Sequence, residues 1–531
     1  MRLPGGLGTQ APGGVDVITD ADLPLLDLVP EPVPGGRLRS TGLPLTAILV
    51  LAAFLRFWHL AAVGFNSDEA VYTGAASSLA GDGTLRGTFP VFRAHPLLFQ
   101  ALLSLVLRVH ESDWTARAFA AALGVAAVAV TFLLGSRLYG RKAGLLAALL
   151  LAVMPYHVIV SRQVLLDGLM TLCATAALYC VVRYADGCGP RWLLAAGGMM
   201  GASILTKETS VVLLGALYAF FVLTRSVRAR WRHILLALGV VGAEAIAWPL
   251  ALRASGQAKT GQSYLLWQLF RRPNHAPWFY VTVLPSWIGP AVLVAALTGL
   301  IWLRREATWR EPLLLAWVIV PVLFFTLWPV KGFEYLLPVA PPLAVLAGRT
   351  LSAGMASQRS RLPRSAMGAL VVISVASLAI PAWDHVEPSA TGTYLAGTGG
   401  VTEGRQAGEW ILRNVPAGGR LLAIGPSMAN ILEFYGHHQV LALSVSPDPR
   451  NRNPVYVPVP NADLSLRQAD FQYVVWDSYS AARSPLFARE ARKLIGKFNG
   501  TAVFTATITA PGRFGHDVTE PVIVIYEVHQ A

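Results

Sequence analysis

Long apolar runs recur along the chain, separated by short polar loops. They fall near 43–63, 115–136, 144–160, 165–184, 192–206, 209–224, 234–252, 279–302, 312–329, 333–350 and 366–383. A helix rises about 1.5 Å per residue and a hydrocarbon core is about 30 Å thick, so most of these runs are long enough to cross. The pattern predicts a polytopic α-helical membrane protein with about 11 spans, 11–13 being possible. From about residue 400 the pattern changes to short alternating runs. Arg405 to Asn414 reads as an amphipathic helix, Arg420 to Ile424 as a strand and Ala429 to Tyr435 as a helix. Apolar runs at 439–444, 471–476, 502–508 and 522–528, with a helical 485–498 between them, complete a small soluble α/β domain. The expected organisation is a leader over 1–42, a transmembrane domain over 43–383 with an outer loop at 64–114, a linker over 384–399, and the α/β domain over 400–531.

Composition agrees with the membrane reading. Hydrophobic residues make up 54% and charged residues 14%, against about 25% charged in a soluble domain. Lys and Arg number 43 against 30 Asp and Glu, but the cations sit mainly in short loops between apolar runs, which argues against a nucleic-acid partner. Residues 1–42, rich in Gly, Pro and Asp, read as a disordered cytoplasmic leader rather than a signal peptide, since no short apolar core with a small-residue cleavage site precedes the first run. Cys173, Cys180 and Cys188 lie within or beside one apolar run and imply no disulfide framework.

The cations also set an expected orientation, because retained cytoplasmic loops carry the Lys and Arg excess. Arg37 and Arg39 precede the first run, Arg137, Arg141 and Lys142 follow the second, and Arg225, Arg228, Arg230 and Arg232 follow the sixth. Clusters at 304–310 and 349–364 continue the alternation. The N-terminus is therefore expected in the cytoplasm and the α/β domain outside. The stretch Pro96 to Val109 is short for a span, and a crossing there would invert every later loop, so it reads as an interfacial or re-entrant segment.

That orientation places a set of unlike polar residues on the outer face. Asp68 and Glu69 follow the first run; a carboxylate there suits a general base or a metal ligand, or else the pair belongs to a helix start capped by Ser67 or Asp68. His95-Pro96 opens the interfacial segment, Asn274-His275 opens the eighth span, and Lys207-Glu208 closes the fifth. Lys331 to Tyr335 opens the tenth span, and Arg162 and Asp167 flank the start of the fourth. Each has a plain structural role available: snorkelling for the lysines, an ion pair for Arg162 and Asp167, a cap for His95, and interfacial belting for Trp278, Phe279 and Tyr280.

The order of these residues resembles a known family. An acidic pair in the first outer loop, His-Pro at 95–96, Arg117-Ala-Phe, Ser161-Arg162 with Asp167, Leu205-Thr-Lys207 and Lys331-x3-Tyr335-Leu-Leu-Pro338 look like the integral-membrane glycosyltransferases of the GT-C class. The protein mannosyltransferase-like and aminoarabinose-transferase-like group is the most similar branch, and the likeness covers roughly 45–350. It implies transfer of a sugar from a polyprenyl-phosphate donor to a lipid, glycan or protein acceptor on the non-cytoplasmic face of the plasma membrane. It also implies Asp68 as base with Glu69 as partner, and a donor phosphate or substrate site drawn from Arg117, Arg162, Asp167, Lys207, Lys331 and Tyr335. His275 matches a histidine that binds metal with an interfacial-loop acid in the aminoarabinose branch; here His95 stands where that acid is expected. A divalent ion (Zn, Mg or Mn) held by the two histidines and metal-free phosphate or sugar binding both stay open. A lipid-linked sugar flippase or other transporter, and a non-catalytic scaffold, are the competing classes.

Overall fold

The computed structural model describes residues 39–92, 95–224, 227, 229–302, 308–356, 364–387, 403–511 and 517–529. The chain divides into two units, Met1–Leu43 and Pro44–Ala531. The leader expected over 1–42, apart from its last four residues, and residues 388–399 of the expected linker lie outside the described residues.

All eleven apolar runs coincide with helices or bent helix pairs. Six helices are long and apolar enough to cross a bilayer, or eight spans if each of two bent pairs counts as one, among the described residues. The runs near 43–63 and 209–224 form shorter apolar helices, Gly42–Phe57 and Glu208–Leu223. The bends have chemical causes. Pro155 follows an extended Met154 and starts a new helix, so Arg141–Val153 and Pro155–Ser161 meet at 61°. Gly289, at φ 94°, adopts a conformation that side-chain-bearing residues avoid, and with Pro290 it turns Phe279–Ile288 against the following helix by 97°. The interfacial stretch forms a ten-residue helix, Leu98–Leu107, about 15 Å long and half of what a crossing requires.

The helical part shares a large apolar core that includes Trp317, Tyr156, Leu151 and Leu336. Around residues 64–114 a separate cluster, with Phe65, Phe89, Phe99, Leu166 and Phe434, packs the helix Ser67–Ala80 into place. Gly74 on that helix is required for the contact, because a Cβ there would stand 2.5 Å from the Phe89 ring.

The C-terminal region contains a five-stranded sheet, ordered β2-β1-β3-β5-β4. Its strands are β1 (Leu421–Ala423), β2 (Val440–Ala442), β3 (Tyr473–Asp477), β4 (Thr501–Pro511) and β5 (Asp517–Glu527). β1 pairs in parallel with β2 and β3, and β5 runs antiparallel to β3 and β4. Alternation along the strands sorts two cores. Leu421, Ala423, Val475 and Ile525 pack with Ile411 and Leu432 of Gly404–Asn414 and Pro426–Gly436, while Leu422 and Val474 pack with Ala491 and Leu494 of Pro485–Lys497. Each predicted strand and helix beyond residue 404 is present within a few residues of its expected bounds.

Candidate active site

Asn66, rather than Ser67 or Asp68, caps the helix that carries the acidic pair. Its side-chain oxygen accepts from the backbone N–H of Asp68 and Glu69 at 3.0 Å each, and Glu69 accepts from the Asn66 N–H at 3.0 Å, a reciprocal capping box. Glu69 is 1% exposed and is fully engaged: Arg117 donates to both of its oxygens at 2.7 Å, and the Val164 N–H donates at 3.1 Å. Arg117 also donates to the carbonyls of Leu60, Val63 and Gly64. Neither residue lines the cavity described below. The acidic pair therefore divides its labour, Glu69 and Arg117 fixing the entry of the helix and Asp68 facing outward from it. That geometry is contrary to a reactive Glu69 and a substrate-binding Arg117.

The C-terminal region holds the same helix entry from the other side. The Tyr435 hydroxyl accepts from the Phe65 N–H at 2.7 Å and donates to Asp113 at 2.6 Å. Arg405 reaches Asp113 at 2.6 Å and donates to the carbonyls of Ala61 and Val63. Asn430 donates to the Ser67 hydroxyl at 3.0 Å.

Asp68 opens into a cavity of about 640 Å³, within the range of small-ligand sites, about 300–1,000 Å³. Its carboxylate accepts no hydrogen bond among the described residues, and burial raises its pKa above the ordinary aspartate range, with Lys207 and then His95 opposing the shift. Lys207, 4% exposed, ends the helix Arg191–Thr206 and reaches both oxygens of Asp167 at 2.9 Å and Oε1 of Glu334 at 3.4 Å. Its ammonium also lies 4.7 Å from the Tyr335 ring centre. Burial alone would lower the Lys207 pKa, but the Asp167 and Glu334 charges outweigh it and hold the ammonium protonated.

Four sequence-predicted candidates stand differently from their expected roles. Lys331 lines the cavity, but its ammonium donates to the carbonyls of Phe325, Thr326 and Trp328 and so closes the preceding helix. Arg162 donates to the carbonyls of Leu55, Arg56 and Val386; it does not pair with Asp167, whose partner is Lys207. His95 lines the cavity with Nδ1 2.9 Å from Glu208 and Nε2 3.1 Å from the Tyr264 hydroxyl. His275, also on the wall, stacks on Phe279 with ring centres 4.2 Å apart. Among the described residues no three His, Cys, Asp or Glu side chains converge to hold a metal ion, and both His95 nitrogens have partners already. The donor set does not fit a two-histidine metal site.

Charged wall residues outside the sequence candidates include Glu334, Arg271 and Arg483. Glu334 stands within the quoted 331–338 segment, and its spacing from Lys331 conceals that it faces Lys207 instead. Arg271 ends the helix Ala258–Phe270, and its guanidinium lies 4.6 Å from the Trp267 ring centre, with no ion pair among the described residues. The seven-residue run Tyr264–Phe270, free of Gly and Pro, was the available signal for that helix. Arg483, from the C-terminal region, lines the same cavity. Apolar rings, Phe279, Trp287 and Phe333, form another part of the wall.

Comparisons with known proteins follow this geometry. Residues 94–250 match the family described as dolichyl-phosphate-mannose-protein mannosyltransferase. The undecaprenyl phosphate-alpha-4-amino-4-deoxy-L-arabinose arabinosyl transferase of Pectobacterium carotovorum subsp. carotovorum is 28% identical over 261 residues, 45% of this chain and 47% of that one. The chain thus spans about half the length of the relative it matches. In fold, ArnT from Cupriavidus metallidurans, solved with undecaprenyl phosphate, superposes with a TM-score of 0.65 at 16% identity, over 92% of this chain and 98% of that one. The archaeal oligosaccharyltransferase AglB from Archaeoglobus fulgidus gives 0.54 at 14% identity, over 91% and 74%. The chain has the fold of the GT-C class of integral-membrane glycosyltransferases and is related to its protein mannosyltransferase-like and aminoarabinose-transferase-like members.

Proposed function

We propose that this chain is a multi-pass plasma-membrane glycosyltransferase. It moves a hexosyl or pentosyl group from a polyprenyl-phosphate donor to an acceptor hydroxyl on the non-cytoplasmic face, with Asp68 as general base. The observation that carries this reading is the Asp68 carboxylate, without a hydrogen-bond partner among the described residues and half-buried in a cavity that also holds cations and an aromatic wall. The names of the aminoarabinose relatives support a polyprenyl-phosphate donor.

In this reading the acceptor oxygen attacks the anomeric carbon while the bond from that carbon to the phosphate oxygen breaks. The electron pair leaves with the polyprenyl phosphate, and the acceptor proton passes to Asp68. Phosphate departs readily once its charge is compensated, so no carboxylic acid is needed to protonate the leaving group. Arg271, free of ion pairs among the described residues, is the phosphate ligand; the Lys207 ammonium adds to the field. Asp167 and Glu334 hold Lys207 in position. Phe279, Trp287 and Phe333 offer the donor's first isoprene units an apolar surface. A base held above the usual aspartate range suits proton abstraction from a hydroxyl that sheds its proton as the bond forms.

Purified Asp68→Asn tests the reading, since it keeps size and removes basicity. Loss of transfer with undecaprenyl phosphate binding retained supports it. Near-normal transfer by the folded variant refutes Asp68 as the base, and a flippase would show no transfer in either form and keep lipid translocation in the variant.

A further inference from the structure

The cavity at Asp68 has a neighbour. A second cavity of about 740 Å³ adjoins it, and Trp267, Arg271 and the Ser444–Ser446 turn belong to both walls. Beyond that shared wall the second cavity is lined mostly by the C-terminal region, including Asn461 and the Phe487 and Glu490 face of Pro485–Lys497.

Two substrates must converge on Asp68, and their chemistries divide the available space. An isoprenoid donor is amphiphilic and takes the side walled by Phe279, Trp287 and Phe333, which belong to the apolar helical part. A hydrophilic partner has the other side. Beyond the shared Arg271, two of the four charged residues on this wall are compensated within the protein: Asp463 pairs with Arg467 and Lys497, and Arg450 pairs with Asp448. Arg272 and Glu490, both exposed, are in no ion pair among the described residues. With Arg271 taken by the donor phosphate, one free cation and one free anion remain on this wall, which favours a neutral ligand over a polyanion, and both hydrogen-bond well to hydroxyls. Phe487 and Trp267 add apolar surface of the kind that packs against the C–H side of a sugar ring.

We propose that this second cavity is the acceptor site and that its ligand is a neutral glycan chain, whose terminal hydroxyl passes Trp267 to reach Asp68. The proposal rests on the transferase reading of the first cavity and names the acceptor class for it.

The test uses full-length protein in lipid nanodiscs and, as probe, neutral delipidated oligosaccharides released from the envelope of the cells that express it. Glu490→Trp fills the cavity from an exposed helix position; Glu490→Gln and Arg272→Gln remove single charges. Wild type is expected to bind the oligosaccharides. Glu490→Trp should weaken that binding at least about tenfold, a loss of about 1.4 kcal/mol, with undecaprenyl phosphate affinity unchanged, and each charge-removing variant should weaken it several-fold. If Glu490→Trp fails to fold, the two conservative variants decide. Absence of oligosaccharide binding, or equal binding by the variants, overturns the proposal. Binding only of envelope protein or anionic glycolipid, lost in Glu490→Trp, overturns the glycan class. Asp68→Asn should retain oligosaccharide binding while losing transfer; transfer retained there would refute Asp68 as the base, absence of transfer by the wild type would refute the transferase reading, and the binding measurement would still decide the cavity's ligand.

Discussion

Lys207 stands 2.9 Å from both carboxylate oxygens of Asp167, and both side chains are buried. Removing one partner of such a pair leaves an uncompensated charge and costs about 3–5 kcal/mol, whereas removing both costs much less. Lys207→Met and Asp167→Asn should each lower the thermal unfolding temperature in detergent, and the double variant should lose less than the sum. Strict additivity would show that the two charges do not depend on each other.

The rate should report the Asp68 proton. A base must be deprotonated, so transfer falls as pH drops through its pKa; burial raises that pKa, which places the acid limb above the range of an ordinary aspartate. A pH–rate profile on nanodisc-embedded protein checks this. An acid limb at the ordinary aspartate position would contradict the raised pKa.

Arg271 and Lys331 make opposite predictions about the donor. Arg271→Gln removes a cation without an ion pair and should weaken undecaprenyl phosphate binding about tenfold, consistent with a charge-assisted hydrogen bond of about 1.5–3 kcal/mol. Lys331→Met removes three bonds to helix-end carbonyls, and should lower stability with little effect on donor affinity. Titration of the lipid against both variants separates the roles, and the reverse pattern would assign the phosphate to Lys331.

Tyr435→Phe deletes the hydroxyl that joins Phe65 N–H to Asp113. Leaving those groups without their partner should cost about 1–3 kcal/mol, seen as faster amide exchange across 64–80 and a lower kcat with little change in donor KM. Unchanged exchange would show that the helix entry does not need this contact.

The proposed orientation is open to thiol labelling. With Cys173, Cys180 and Cys188 replaced, single cysteines at the exposed Arg86, Arg191 and Arg489 positions meet a membrane-impermeant reagent in intact cells. Labelling of Arg86→Cys and Arg489→Cys, with Arg191→Cys reacting only after the membrane is opened, is expected. The converse pattern would place Asp68 in the cytoplasm.

Much of the fold was legible because periodicity reports burial. The alternation at 471–476 and 522–528 locates β3 and β5 even though they pair across some fifty residues of sequence. Lys207 and Asp167 were legible as candidates but not as partners, since an ion pair between separate helices leaves no local spacing. The two roles open to Glu69 could not be separated for a related reason: a carboxylate beside an apolar run has the same sequence signature whether it faces a cavity or an arginine 48 positions away. The helix Ala258–Phe270 escaped notice because its large apolar residues, Leu265, Leu266, Leu269 and Phe270, are exposed and mark no buried face. Arg271, which it carries into the cavity, was hidden with it.

The contacts from Arg405, Asn430 and Tyr435 to the segment 61–67 have a consequence for biosynthesis. Asp68 leaves the ribosome early, when only the first of the apolar runs has been made, whereas Arg405, Asn430 and Tyr435, which brace its helix from the other side, emerge only after the last run has been threaded. A nascent chain can thus be fully inserted and still lack a finished centre. Completion waits for a hydrophilic segment to fold against a loop made more than three hundred residues before it.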